Sequence, residues 1–197
     1  ASITEHFDWI FVDPDRRSDQ GKKMVRMEDC SPNVLEMMPR LREIAGRVAI
    51  KLSPLFDVDE ALRLLPDSVV EVVSLGGECK ELNIYTNAGE SVVRIAAVGV
   101  GEWEFANDKV NLPAQSDDFE PSKWRYLIVP DVAVQKARVA VAAFDGYATL
   151  WSNNGFAFSE ELYRGAIPGR VYTIERMEHY RPKELKRRLK GEGVEFM

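Results

Sequence analysis

The chain has 197 residues, 45% of them apolar and 29% charged, with 13 glycines and 10 prolines; this ordinary globular composition excludes a wholly disordered, collagen-like or disulfide-scaffold polypeptide. Two cysteines, Cys30 and Cys79, without CxxC spacing, and two histidines, His6 and His179, argue against structural zinc and for reduced thiols in a cytoplasmic protein. The net charge is −6, yet nine basic against three acidic residues between Tyr163 and Lys190 leave that tail at about +6, so an acidic average conceals a basic end.

There is no apolar run of about 18 residues and no basic-then-apolar leader, so neither a bilayer span nor a secretion signal is indicated. The length allows an adequate core in one large or two small domains.

In chain order, Phe7 to Val12 reads as a buried strand ended by Asp13-Pro14, and the charged stretch Arg16 to Arg26 as a solvent-facing loop. Ser31-Pro32 is the predicted cap of a helix whose apolar positions are Val34, Met37, Met38, Leu41, Ile44 and Ala45, with Pro39 expected to kink or split it. Val48 to Leu52 is a second strand. Asp57 and Glu60 have capping-box spacing for a helix ending before Pro66.

Val69 to Leu75 reads as a third strand, interrupted at Gly76-Gly77 but continuing through Leu82 and Ile84; Val92 to Val98 is then predicted to return antiparallel after the turn Asn87-Ala88-Gly89. The alternation specifies an α/β fold with a mostly parallel, incomplete Rossmann-like sheet and an antiparallel edge hairpin.

Between Gly99 and Arg125 the pattern dissolves, which predicts a linker or a substrate-facing loop. A helix from Pro130-Asp131 to about Phe144 and a strand at Ala148 to Trp151 follow, then a strand at Val171 to Met177, a helix at Pro182 to Lys190 and a strand at Val194 to Met197. The last three form a βαβ unit, half of a ferredoxin-like fold. The chain opens without Met directly before a central strand and closes on an alternating apolar run, so both ends are expected to be interruptions of a longer polypeptide.

In open α/β sheets ligands bind beyond the carboxyl ends of the strands. Three loops qualify: Asp13-Pro14-Asp15-Arg16-Arg17 after the first strand, Lys51-Leu52-Ser53-Pro54 after the second, and Gly76-Gly77 after the third. Each also has a structural reading: a turn-initiating Asp-Pro, a snorkelling lysine and a glycine bulge. Asp13, Asp15 and Asp19 do not make a calcium loop, because Arg17 stands where a ligand is needed. Gly99-Val100-Gly101 lacks the third glycine of a dinucleotide fingerprint, and no phosphate loop is present.

FDWIFVDPDRR, RVAIKLSP, VVSLGGECKEL, YLIVPDVAVQKARVAVAAF, NNGFAFSEE and PGRVYTIE, in this order, resemble the carboxy-terminal half of class I S-adenosylmethionine-dependent methyltransferases that carry ferredoxin-like and THUMP-like C-terminal domains. The resemblance implies a methyltransferase sheet over residues 1–98, a linker and ferredoxin-like helical segment over 99–155, and a truncated THUMP-like domain over 156–197.

It also implies that Asp13 and Pro14 orient the methyl acceptor through a carboxylate and a carbonyl, proximity and orientation being the main catalytic effect. The substrate rim would comprise Asp15, Arg16, Arg17, Lys51, Ser53, Gly76 and Gly77, with Arg16, Arg17 and Lys51 as phosphate contacts. Asp15 stands where related enzymes have a second proline and Arg16 where amino-methylating members have an aromatic residue, which leaves the target atom open.

The glycine-rich turn and acidic residue that hold S-adenosylmethionine in the family are not in this chain, so the cofactor site is expected upstream, with the missing N-terminal half as partner, and the chain alone is expected to be inactive. Cys30 is assigned no role.

In the tail, Lys183, Lys186, Arg187 and Lys190 recur at helical spacing and would give an RNA-docking stripe, or a merely solvated face. The leading expectation is therefore an RNA methyltransferase fragment. The alternatives are a non-catalytic RNA-binding or assembly module, and an enzyme of small nucleotide-like metabolites.

Overall fold

The computed structural model describes residues 5–15, 26–28, 30–114, 119–150 and 155–193. Its main layer is a six-stranded sheet in the order β1-β2-β4-β3-β5-β6, built from β1 (Phe7–Val12), β2 (Ala45–Leu52), β3 (Ser68–Leu75), β4 (Glu78–Thr86), β5 (Val92–Ala97) and β6 (Gly101–Ala106). β1, β2, β3 and β5 run in one direction, and β4 and β6 run against them.

The interrupted third strand is thus two strands. Gly76 and Gly77 both have positive φ, 63° and 84°, the pair of left-handed residues that a tight two-residue hairpin requires. They fold β4 back beside β3, and β4 inserts between β3 and β2. Val92–Ala97 consequently pairs parallel with β3, and the antiparallel edge hairpin is β5–β6, not β4–β5. The segment after Gly99, expected to be loop, contributes β6.

Helix α1 (Val34–Ile44) is capped by Asn33, whose Oδ1 accepts the Leu35 and Glu36 amides at 3.1 and 3.3 Å. The expected cap, Ser31, is instead engaged through its backbone with Asp15, by two hydrogen bonds of 2.8 and 3.0 Å. Pro39 lies inside α1 without splitting it. Helix α2 (Val58–Leu64) begins as predicted at Asp57, which accepts the Asp59 and Glu60 amides; the Glu60 carboxylate turns to Arg63 rather than closing a capping box.

Residues 126–173 add a second, antiparallel sheet in the order β10-β7-β9-β8, from β7 (Tyr126–Pro130), β8 (Thr149–Leu150), β9 (Ala157–Ser159) and β10 (Gly169–Thr173). The helix predicted to reach Phe144 is broken at Arg138, whose φ is 56°, into α3 (Val132–Ala137) and α4 (Ala140–Ala143). The division expected at residue 155 falls between β8 and β9, which pair with each other. Helix α5 (Pro182–Gly191) forms as predicted, and Val194 to Met197 lies outside the described residues.

The two sheets share a core. Ile50, Ile84, Val70 and Val93 form one cross-strand row, and α1, α2 and α3 cover that face with Met38 and Leu41, Val58 and Ala61, and Val134 and Ala137 in a single buried cluster. α3 packs against β3, β4 and β5, so the second module is seated on the first. Among the described residues no helix is long and apolar enough to cross a membrane.

Candidate functional site

β1, β2 and β3 run the same way, so Asp13, Lys51-Leu52-Ser53 and Gly76-Gly77 all lie at one edge of the large sheet. The corner after β1 is fastened on both sides. Lys51 Nζ donates to Asp13 Oδ2 at 3.1 Å and reaches Glu81 Oε2 at 4.0 Å. Beyond Pro14, which is buried, the Asp15–Ser31 backbone bridge closes the loop.

This geometry changes the role of Lys51. Its ammonium stands between two carboxylates, and a neutralised cation is a poor phosphate ligand. What it does here is hold the Asp13 carboxylate in place at the sheet edge. The three side chains are 43%, 32% and 34% exposed for Asp13, Lys51 and Glu81, so the corner is an open lip. Glu81 went unrecognised in the sequence because β4 was read as a continuation of β3, which leaves no reason to place it beside β2.

Ser53 serves a local purpose: its Oγ accepts the Leu55 amide at 3.2 Å, and its carbonyl accepts the Phe56 amide at 2.9 Å, shaping the turn into α2. Gly76 and Gly77 share the lip but lie three strands from Asp13 in sheet order, about 14 Å away at ~4.8 Å per strand. An added Cβ at either would meet nothing within 4 Å, so it is their backbone conformation, and not a crowded approach, that requires glycine. Asp15 is exposed at the same corner; Arg16 and Arg17 lie outside the described residues.

The carboxyl end of β3 is covered from above. Buried Ser74 donates through Oγ to Asp131 Oδ1 at 2.6 Å, while the same oxygen accepts the Ala133 amide at 2.8 Å and caps α3. A second tie joins Arg138 to Asp57 and Asp59 at 3.0 and 2.9 Å. Burial works to raise the Asp57 pKa, but the Glu60 amide and the Arg138 guanidinium outweigh it and hold the carboxyl below its ordinary value.

Neither cysteine forms a disulfide. Cys30 is buried, with its thiol donating to the Arg26 carbonyl. Burial pushes the Cys79 thiol up, reinforced by Asp131.

On α5, Lys183, Lys186, Arg187 and Lys190 are all exposed. Arg188, outside that stripe, is tied back to Glu178 and to Glu192. The predicted stripe is therefore on the outside of the helix, whereas the remaining basic residue of that turn secures it.

No model of a protein family matches the sequence, and no curated protein matches it. Among solved structures, the crystal structure of a "putative methyltransferase" from Porphyromonas gingivalis W83 superposes with a TM-score of 0.75 at 24% identity, over 93% of this chain and 47% of that one. The chain thus spans about half the length of that structure. At this identity the likeness is one of fold: the six-stranded α/β sheet with its appended antiparallel sheet is the fold that this chain shares with that structure.

Proposed function

We propose that this chain is the acceptor-side part of an S-adenosylmethionine-dependent methyltransferase acting on RNA. The observation that carries the reading is the Asp13–Lys51 pair, which fixes a carboxylate at the strand-end lip of a methyltransferase-like sheet. Asp13 would accept a hydrogen bond from the acceptor amine and, with the Pro14 carbonyl, orient it; Lys51 is a positioning residue that acts through Asp13. Fixing an acceptor in a reactive geometry is worth several orders of magnitude in rate.

S-adenosylmethionine supplies the methyl group in such a transfer. The described residues do not build a pocket for it: the Asp13 corner is an open lip, and the end of β3 is roofed by Asp131. We therefore assign this chain no methyl-transfer step of its own, and place the cofactor site in the N-terminal half that the resemblance implies.

The large sheet supports that division. Among the described residues β1 pairs on one side only, and the face opposite the helices exposes Phe7, Trp9 and Phe11 at 41%, 46% and 65%. An unpaired edge and exposed aromatics are features that a further layer of protein would cover.

The strand order β10-β7-β9-β8, with the first strand of the segment inside and beside the last, supports a ferredoxin-like module over residues 126–173, a different segment from the 171–197 βαβ unit expected from the sequence, whose last strand lies outside the described residues. The exposed cations of α5 support RNA docking by the THUMP-like part expected over residues 156–197. They also favour the second reading, an RNA-binding or assembly module without catalysis.

The test uses the longer polypeptide of the same reading frame, assayed for methyl transfer to bulk RNA. Asp13→Ala is expected to lower kcat about 100-fold or more. Lys51→Met should lower kcat with little change in KM, with partial recovery in Lys51→Arg. Undiminished transfer in Asp13→Ala removes the acceptor role. RNA binding that weakens with salt, by a slope that falls by about 1 to 2 in Lys186→Ala/Arg187→Ala, but without any transfer, selects the second reading.

A further inference from the structure

In the C-terminal module, the turn entering β8 and the loop leaving β9 bound an open cleft of about 720 Å3. Four aromatic side chains line it among polar and small residues. Trp124 and Phe158 form a tilted pair with ring centroids 6.1 Å apart, and Tyr147 and Tyr163 a stacked pair at 4.3 Å. Asp145, Glu160 and Glu161 line it as well, all exposed, and its lining includes no lysine or arginine. Lys123, which lies within the field of Glu160, is paired to Glu120 at 2.7 Å.

The cleft is held by bonds of its own. The Tyr147 hydroxyl donates to the Ala143 carbonyl at 2.6 Å, which fixes the ring. Ser159 Oγ donates to the Glu161 carbonyl at 2.7 Å and accepts the Glu161 amide at 3.2 Å, which holds the acidic turn. Gly165 leaves room for Tyr163: a Cβ there would lie 2.5 to 2.6 Å from the Tyr163 ring carbons and hydroxyl.

Aromatic faces carry negative charge density and attract weakly hydrated organic cations, and neighbouring carboxylates strengthen that preference. An anion would meet three like charges. A metal ion would need converging ligands, and among the described residues no group of three or more His, Cys, Asp or Glu is placed to hold one.

We propose that this cleft binds an organic ammonium group, either a small free cation or the side chain of a lysine. The assignment goes beyond the methyl-transfer reading and does not depend on it.

The Trp124 indole N–H, buried and without a hydrogen-bond partner, is the reporter. The chain is titrated at constant ionic strength with choline, with an Nα-acetylated lysine amide, and with dimethylbutanol, the neutral carbon isostere of choline, while the Trp124 indole resonance is followed by NMR. A saturable shift is expected with at least one of the two ammonium ligands, with affinity about tenfold weaker for the neutral alcohol and about tenfold weaker for choline or lysine in Glu160→Gln/Glu161→Gln.

Tyr163→Leu, which keeps an apolar side chain but removes the ring, is expected to weaken binding as well, with the melting curves of both variants checked against the parent. Choline alone responding identifies a small free cation as the source, and the lysine derivative alone identifies a polypeptide side chain. The proposal is overturned if neither ammonium gives a saturable shift, if the alcohol binds as well as choline, or if the double variant binds like the parent.

Discussion

The two faces of the large sheet are made from the same strands and hold together by different physics. On the helix side, alternate residues such as Val70, Leu82, Ile84 and Val93 are fully buried under α1, α2 and α3. On the other side, the row Lys51, Asn83, Glu71, Arg94 and Glu104 crosses the sheet from β2 to β6. There, Glu71 receives Asn83, Tyr85 and Arg94, and Arg94 also pairs with Glu104 at 2.6 Å. Trp9 packs edge-on to Tyr85 at 6.2 Å, with Arg47 over its ring at 5.3 Å.

The helix side gains its stability from area removed from water. The other side gains less, because its charges keep part of their hydration and each pair must offset its own desolvation. A sheet can be fully formed while only one of its faces contributes most of the folding free energy.

The largest effect should come from Ile84→Ala, which opens a cavity under the helices and is expected to cost about 2–5 kcal/mol in denaturant unfolding, whereas Val73→Ala on the opposite face should cost about 1 kcal/mol or less. Equal losses would erase the contrast between the faces.

Asp131→Ala comes next. It strips the cap of α3 and leaves buried Ser74 unpaired, for a loss of about 1–3 kcal/mol by the same measurement. Because Asp131 joins the two modules, the variant should also broaden the transition if they then melt separately.

Glu71→Gln tests the charged face, with an expected loss of about 1 kcal/mol. Burial, and after it Glu71, pushes the Tyr85 hydroxyl up to about 12. The folded chain therefore keeps this proton beyond the ordinary tyrosine value of about 10. The associated stability is complete below about pH 10 and is lost as the pH rises toward about 12. Phenolate absorbance, differenced against Tyr85→Phe, should show a lower midpoint in Glu71→Gln; an unchanged midpoint would mean that burial acts alone.

The smallest effect is expected for Phe11→Ser. Phe11 is 65% exposed on the open face, so the chain by itself should lose no more than about 0.5 kcal/mol. In the longer polypeptide the same change should cost several times more if the further layer covers that face, and equal small losses in both would place that layer elsewhere.

Local chemistry made much of this legible in advance. The bounds of strand β1 with its Asp-Pro stop, strand β2, the Asp57 cap and helix α5 were readable because each rests on periodicity, turn residues or capping within a few positions, but the buried, central place expected for β1 was not, since it ends the described sheet with Phe7, Trp9 and Phe11 exposed. The strand-end lip followed from the same reading, since strands joined by crossovers end on a common edge.

Long-range pairing was not legible. A run of apolar residues on both sides of Gly76-Gly77 is compatible with a bulge in one strand or a turn between two, and only pairing with β2 decides that β4 reverses and enters the sheet. Lys51 likewise reads as a phosphate contact until β4 brings Glu81 to it and β1 brings Asp13, two carboxylates separated from it by 30 and 38 residues. The sequence by itself determined which segments form elements and where the strands stop, because backbone conformation responds to near neighbours. The tertiary structure alone decided strand order, which face is covered and what each charge meets, because those depend on which distant side chains share a row of the sheet.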